Sequence, residues 1–181
     1  MPEQPPRAPL IVTLGFDEGT FARLEALRRR FFPPGRNLIP AHLSLFHALP
    51  PDELATITAE LAEAAGSRPP IPLQFPSVRS LGSGFALAVE APGLPSLHRR
   101  LAVAFSPWLS SQDRQPLLPH VTLMNKADRR AARLGLATFR GEFEPWSGIG
   151  DSLLLWAYHG GPWEALARYP FSGDPRPDPE V

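Results

Sequence analysis

Cysteine is absent from this 181-residue chain, which removes disulfide scaffolding, zinc–thiolate sites, iron–sulfur clusters and thiolate nucleophiles together. Lysine is nearly absent: Lys126 is the single one among eighteen basic residues, the rest being arginine. Net charge is missing too, because eighteen acidic residues balance the basic ones. Without an overall field to hold long nucleic acid nonspecifically, any nucleic-acid ligand is expected to be gripped locally, over a few nucleotides. No stretch approaches the ~20 apolar residues of a membrane span, and the N-terminus lacks the apolar core of a signal peptide. A cytoplasmic protein without a membrane partner is expected. Chemistry is left to His, Ser, Thr, Asp, Glu, Arg and one Lys.

Hydrophobic residues make up 43% of the chain, enough for one core or for two small lobes sharing an interface. Proline is abundant at 24 residues, crowded near both ends, where it fixes φ without interrupting ladders. Residues 1–9 and 173–181 are therefore expected to be disordered tails around a single bilobal domain at 10–172, a monomer in its simplest form.

Leu10 to Phe16 reads as a buried strand, and Asp17 caps a helix carrying Phe21, Leu24, Leu27 and Phe31 at helical spacing. Pro33-Pro34-Gly35 stops it. A strand at 41–49 and a helix at 52–65 follow, then strand-like runs at 71–80 and 85–90 around the turn Gly82-Ser83-Gly84. Pro95 opens a further helix, and 117–124 returns as a strand. A short helix at 128–137 and strands at 139–143, 153–158 and 166–171 complete the order. A helix, a His-containing strand and another helix occur once in each half. Interleaved strands and helices with hairpins predict an α+β architecture in which each lobe has a mostly antiparallel sheet backed by helices.

The repeated strands carry the chemistry. One reads Pro40-Ala41-His42-Leu43-Ser44-Leu45, the other Leu118-Pro119-His120-Val121-Thr122-Leu123. Residues i and i+2 of a strand share a face, so His42 lies beside Ser44, and His120 beside Thr122, with the apolar residues directed into the core. An imidazole can exchange a proton with a bridging oxygen or water while a neighbouring hydroxyl donates to a nonbridging phosphate oxygen. Two such pairs supply both ends of an in-line displacement, one neutral histidine as base and one protonated histidine as acid, both forms being accessible around a pKa of about 6.5. No metal and no cofactor are needed if these donors carry the developing charge. Either motif alone is weak; the pair, in corresponding places of an apparent duplication, is not.

With both motifs in place, the chain resembles the two-histidine phosphoesterase superfamily, specifically its bacterial 2′-5′ RNA ligase and cyclic phosphodiesterase branch, from Leu10 to Phe171. The resemblance implies a bilobal fold with pseudo-twofold symmetry, two mostly antiparallel sheets with helices outside, and a central cleft. It further implies metal-independent hydrolysis of RNA 2′,3′-cyclic phosphate ends to a 2′-phosphate, with reversible 2′-5′ joining in related proteins. His42 and His120 are then the acid/base pair, and Ser44 and Thr122 bind phosphate oxygens, serine replacing the commoner threonine. Many relatives carry an arginine where this chain has Asn125. The partners are expected to be short single-stranded RNA ends or small nucleotides. Rival readings are a phosphodiesterase for another small cyclic or 2′-5′-linked nucleotide, and a noncatalytic nucleotide-binding or RNA-binding module.

Further positions are less determined. Phe46 shares the parity of His42 and Ser44 and is a candidate wall for stacking a nucleobase or, equally, an interlobe core residue; Met124 stands in the same relation to His120 and reads as packing. Arg36 and Lys126 are candidate substrate contacts because they lie near the motif strands in sequence, as do Arg129 and Arg130. His47 and His98 read as structural or solvated and His159 as a turn residue. Arg28-Arg29-Arg30 reads as cations complementing a helix C-terminus.

Overall fold

The computed structural model describes residues 8–174. The continuous apolar run at Leu10–Phe16 is β1, buried at all seven positions, as expected of a strand covered on both faces. It lies between β2 (Leu43–Leu49) and β7 (Trp146–Tyr158). Two more strands, β3 (Ile71–Phe75) and β8 (Trp163–Pro170), pair successive portions of the long β7 and complete a five-stranded sheet. The second sheet has three strands in the order β4 (Val78–Ser80), β5 (Phe85–Ala88), β6 (His120–Met124). All of these pairings are antiparallel. With α1 (Glu18–Phe31), α2 (Leu54–Gly66), α3 (Leu94–Ala104) and α4 (Arg129–Glu142), the molecule is the α+β, two-sheet structure the sequence predicts.

β2 is an edge strand of the larger sheet and β6 an edge strand of the smaller one, and the two contact each other across the interface between lobes. This juxtaposition brings the motifs together. His42 stands one residue ahead of β2, and His120 opens β6. A common core unites the lobes, running from Val12, Leu14 and Leu43 through Phe46 and Phe105 to Phe85 and Leu123.

Three expectations need correction. The run at 71–80 is two strands, because the chain leaves the first sheet after Phe75 and enters the second at Val78. The strand expected at 139–143 belongs to α4, whose buried positions Ala132, Leu136 and Phe139 hold helical spacing to the end. The strands expected at 153–158 and 166–171 are the longer β7 and β8. Of the expected tails, residues 1–7 and 175–181 lie outside the described residues; Pro9, however, accepts a hydrogen bond from the Tyr158 N–H, and the Gly173 N–H donates to the Arg68 carbonyl.

Gly84 holds the end of β6 in place. A Cβ built there would lie 1.8 Å from the Met124 carbonyl oxygen, so only glycine allows the β4–β5 turn to approach. Asn125 is used in the same contact: its side-chain oxygen accepts from Ser83 Oγ at 2.9 Å and from the Lys126 N–H at 2.8 Å. Gly84→Ala is expected to lower the unfolding free energy by about 2–3 kcal/mol in urea titration, as overpacking against backbone does; an unchanged midpoint would show that the turn can move aside.

Candidate active site

The two motifs agree atom for atom beyond their residue types. His42 Nδ1 lies 2.8 Å from the Pro40 carbonyl oxygen and His120 Nδ1 lies 2.7 Å from that of Leu118, each two residues upstream. A carbonyl oxygen can only accept, so Nδ1 carries the proton in both rings and Nε2 is the nitrogen left for a substrate. Ser44 pairs with Thr13 and Phe46 with Val12, which leaves Leu45 as an extra residue in β2. Thr122 pairs with Ala86 and Met124 with Phe85, which leaves Leu123 as the extra residue in β6. Each bulge thus follows the motif hydroxyl by one residue, and residues 42–46 and 120–124 share one burial pattern.

The bulges decide what enters the cleft. Alternation alone puts Phe46 beside His42 and Ser44, but a bulge reverses the parity beyond it. Phe46 is consequently 0% exposed, edge-on to Phe105 and stacked on His98. It is a core residue and cannot stack a base. Met124 turns inward for the same reason, and His47 is delivered to the cleft.

A cavity of about 400 Å³ lies between the lobes, lined by His42, Ser44, His120 and Thr122. The four motif side chains are therefore brought to one space. Arg36 and Lys126 are not: both are exposed and neither lines the cavity. Arg36 sits in a short 3-10 turn, and Lys126 follows β6 with φ +56°, which carries it out of the strand's alternation. The guanidinium in the lining belongs instead to Arg79 of β4, and the aromatic ring to Trp163 of β8, whose centroid lies 4.7 Å from that of His42.

Sequence reasoning also passes over His47 and Asp113. The Asp113 carboxylate, with no side-chain exposure, lies 2.8 Å from His47 Nδ1 and accepts from the His47 N–H at 2.9 and 3.0 Å and from the Ala48 N–H at 3.3 Å. Two successive strand N–H groups reach one acceptor only where the ladder is irregular, and the register of β2 shifts here. Burial alone would raise the Asp113 pKa; the hydrogen bonds and charge of His47 outweigh it and hold the carboxyl below its ordinary value. Asp113 thereby anchors the loop that supplies Gln112, Gln115 and Leu117 to the cavity wall.

Desolvation pushes the His42 imidazole down to about 4, overcoming the favourable Pro40 hydrogen bond, and the positive charges of Arg28, His120 and His47 push the same way. His42 is neutral at pH 7. Among the described residues no cluster of three or more His, Asp or Glu is arranged to hold a metal ion, and no helix is long and apolar enough to cross a membrane.

Two antiparallel lobes that each present a histidine and a hydroxyl to a shared cavity define a two-histidine phosphoesterase. The family model of the 2′-5′ RNA ligase superfamily matches residues 16–162, and the chain belongs to that superfamily. Its activity is accordingly of the 2′-5′ RNA ligase-like phosphoesterase class. TT0787 of Thermus thermophilus has a similar structure, with a TM-score of 0.66 at 18% identity, over 92% of this chain and 99% of that one. E. coli LigT complexed with 3′-AMP gives 0.64 at 16% identity over 92% and 99%. A protein described as a phosphoesterase gives 0.63 at 17% identity over the same shares. At these identities the likeness is one of fold. No curated protein matches the chain.

A depressed histidine pKa couples folding to pH. The unfolded chain protonates His42 at 6.5 and the folded one only at about 4, so unfolding takes up a proton between those values and stability falls as the pH drops through them. The full loss is about 3 kcal/mol. His42→Asn is expected to flatten the stability curve between pH 6.5 and 4, read from urea midpoints at each pH; a parallel curve would show that His42 titrates normally.

Proposed function

We propose that the protein is a metal-independent RNA 2′,3′-cyclic phosphodiesterase that leaves a 2′-phosphate, with reversible 2′-5′ joining as its related reaction. The observation that carries this reading is the convergence on one cavity between the lobes of two hydroxyls and two imidazoles, each with Nε2 unengaged among the described residues.

His42, neutral and with Nδ1–H engaged by Pro40, is suited to take a proton from water. The activated water attacks phosphorus, a P–O bond forms, and the bond from phosphorus to the ribose 3′ oxygen breaks. His120 gives that oxygen its proton and ends neutral, while His42 ends protonated, and exchange with solvent resets both. Ser44 and Thr122 donate to the nonbridging oxygens as charge builds on them. With a 5′-hydroxyl in place of water, the same steps create a 2′-5′ phosphodiester. The incoming phosphate anion opposes the desolvation that holds His42 neutral, so its proton affinity rises when it must accept one.

Arg79 and Trp163 take the roles of cation and stacking surface that sequence reasoning assigns to Arg36, Lys126 and Phe46, because they line the cavity. A ring beside His42 suits a nucleobase of any identity. The alternative, a small cyclic or 2′-5′-linked nucleotide as substrate, is favoured by the balanced net charge and the limited cavity. LigT itself has been crystallised with 3′-AMP, ATP and NADP+.

The deciding assay incubates a short RNA bearing a 2′,3′-cyclic phosphate in excess chelator. A 2′-monoester product is expected, and His42→Ala and His120→Ala are each expected to cut turnover by roughly 10²–10⁴. A 3′-monoester, a demand for added metal, or full activity in both variants would refute the assignment. Preference for cyclic mononucleotides would favour the small-substrate reading, and tight binding without consumption would mark a noncatalytic module. The acid limb of kcat/KM is expected near the pH of about 4 at which His42 titrates in the free protein. Arg79→Met is expected to raise KM roughly tenfold with little change in kcat, the pattern of lost ground-state binding; an unchanged KM would leave Arg79 without a substrate contact.

A further inference from the structure

Arg28 is 2% exposed. The sequence suggests a solvated cation at a helix end, yet the buried stripe of α1 runs Thr20, Leu24, Arg28, Phe31, and the guanidinium points into the junction between lobes. Among the described residues no carboxylate forms an ion pair with it. Its Nη1 donates to the Thr122 carbonyl at 2.6 Å, and its Nη2 donates to Asn37 Oδ1 at 3.0 Å and the Ile39 carbonyl at 2.8 Å. Its Nε is buried with no partner among those residues. Three residues earlier on the same helix, the Glu25 carboxylate accepts from the Ala41 N–H.

These partners are the second motif's hydroxyl residue and the segment leading directly into His42. A buried cation without an ion-pair partner is costly, and the cost is reflected in the lowered Arg28 pKa, caused first by desolvation and only partly offset by Glu25. Helix α3 shows a matching reach: its His98 hydrogen-bonds the backbone of Leu45, the bulge residue of β2, and stacks on Phe46. Helix α1 thus braces the β6 motif and α3 braces the β2 motif.

We propose that Arg28 is a positioning residue of the active site: it ties Thr122 and the approach to His42 into one frame and sets a fixed positive charge behind the phosphate position. The proposal rests on the reading of the cavity as a phosphate site. The charged and titratable groups acting on His42 are Arg28 of α1, His120 of β6 and His47 of β2. Removing the first relieves one of the repulsions that keep the imidazole unprotonated.

The test compares Arg28→Gln, which removes the charge, with Arg28→Lys, which keeps it but loses the forked geometry. NMR titration of the His42 ring and binding of inorganic phosphate are measured in each, together with kcat/KM per folded molecule. Arg28→Gln is expected to raise the His42 pKa, weaken phosphate on the order of tenfold and lower kcat/KM by roughly 10–100-fold. Arg28→Lys is expected to restore the titration and part of the activity. A folded Arg28→Gln with wild-type titration, phosphate affinity and kcat/KM would overturn the proposal. If Arg28→Gln does not fold, Asn37→Ala removes one acceptor and no charge; it is expected to lower kcat/KM several-fold with the His42 titration unmoved, and an unchanged kcat/KM would count against the bracing. Titration and phosphate binding require no turnover, so failure of the cyclic-phosphate reading remains distinguishable from failure of this one.

Discussion

Two backbone carbonyls, those of Pro40 and Leu118, constrain the chemistry of the cavity more than any other groups. By accepting from Nδ1 they fix one tautomer in each histidine, and a fixed tautomer fixes which nitrogen faces a ligand. The constraint is local, reaching two residues back along the chain, so each histidine carries its own orienting partner and needs none from the opposite lobe. Such a self-contained unit can be used twice. The same three-residue geometry, followed by the same bulge, stands at the edge of both sheets.

The surroundings of the two motifs differ. His42 is desolvated, with Trp163 against its ring and the Arg28 guanidinium among the charges that repel its proton. Acid/base chemistry requires two groups in opposite protonation states, and identical surroundings would give two histidines equal claims to the proton. Departures from symmetry around matching motifs are a general means of creating such a difference. A chain with no net charge must build this field locally, and the buried guanidinium, sheltered from counterions, is screened less than any surface arginine.

The motif pairs are legible in the sequence because period-2 alternation holds up to the hydroxyl: His42 with Ser44, and His120 with Thr122, both reach the cavity. Legibility ends at Leu45 and Leu123. A bulge has no residue signature here, yet it moves every later side chain to the other face, and so Phe46 goes to the core and His47 to the cleft. Arg28 carries a readable signal, since the spacing from Thr20 and Leu24 through to Phe31 passes through it, but a basic residue in a last helical turn has a sufficient surface explanation. Arg79 and Trp163 lie far from either motif in sequence, and only the folding of β4 and β8 brings them there; Asp113 is close to His120 in sequence, but its partner is His47 on the other motif strand. Proximity in sequence, the ground for naming Arg36 and Lys126, is the weakest guide.

The division between strands and loop has a consequence for what the site can evolve. The two motif hydroxyls and His120 stand on paired strands, and His42 directly precedes one, so their positions are fixed by ladders on one side and by the core beneath. Gln112, Gln115 and Leu117, by contrast, reach the cavity from a loop secured to β2 largely through one carboxylate, and Asp113 holds it by hydrogen bonds to backbone N–H groups of His47 and Ala48. Backbone donors persist whatever side chain they carry. The loop's other residues are thus free to change, altering the surface the cavity offers, while the anchor and the geometry of the motif side chains stay as they are. On the proposed reading, one frame can in this way serve different substrates, with selectivity residing in the wall and reactivity in the motif side chains.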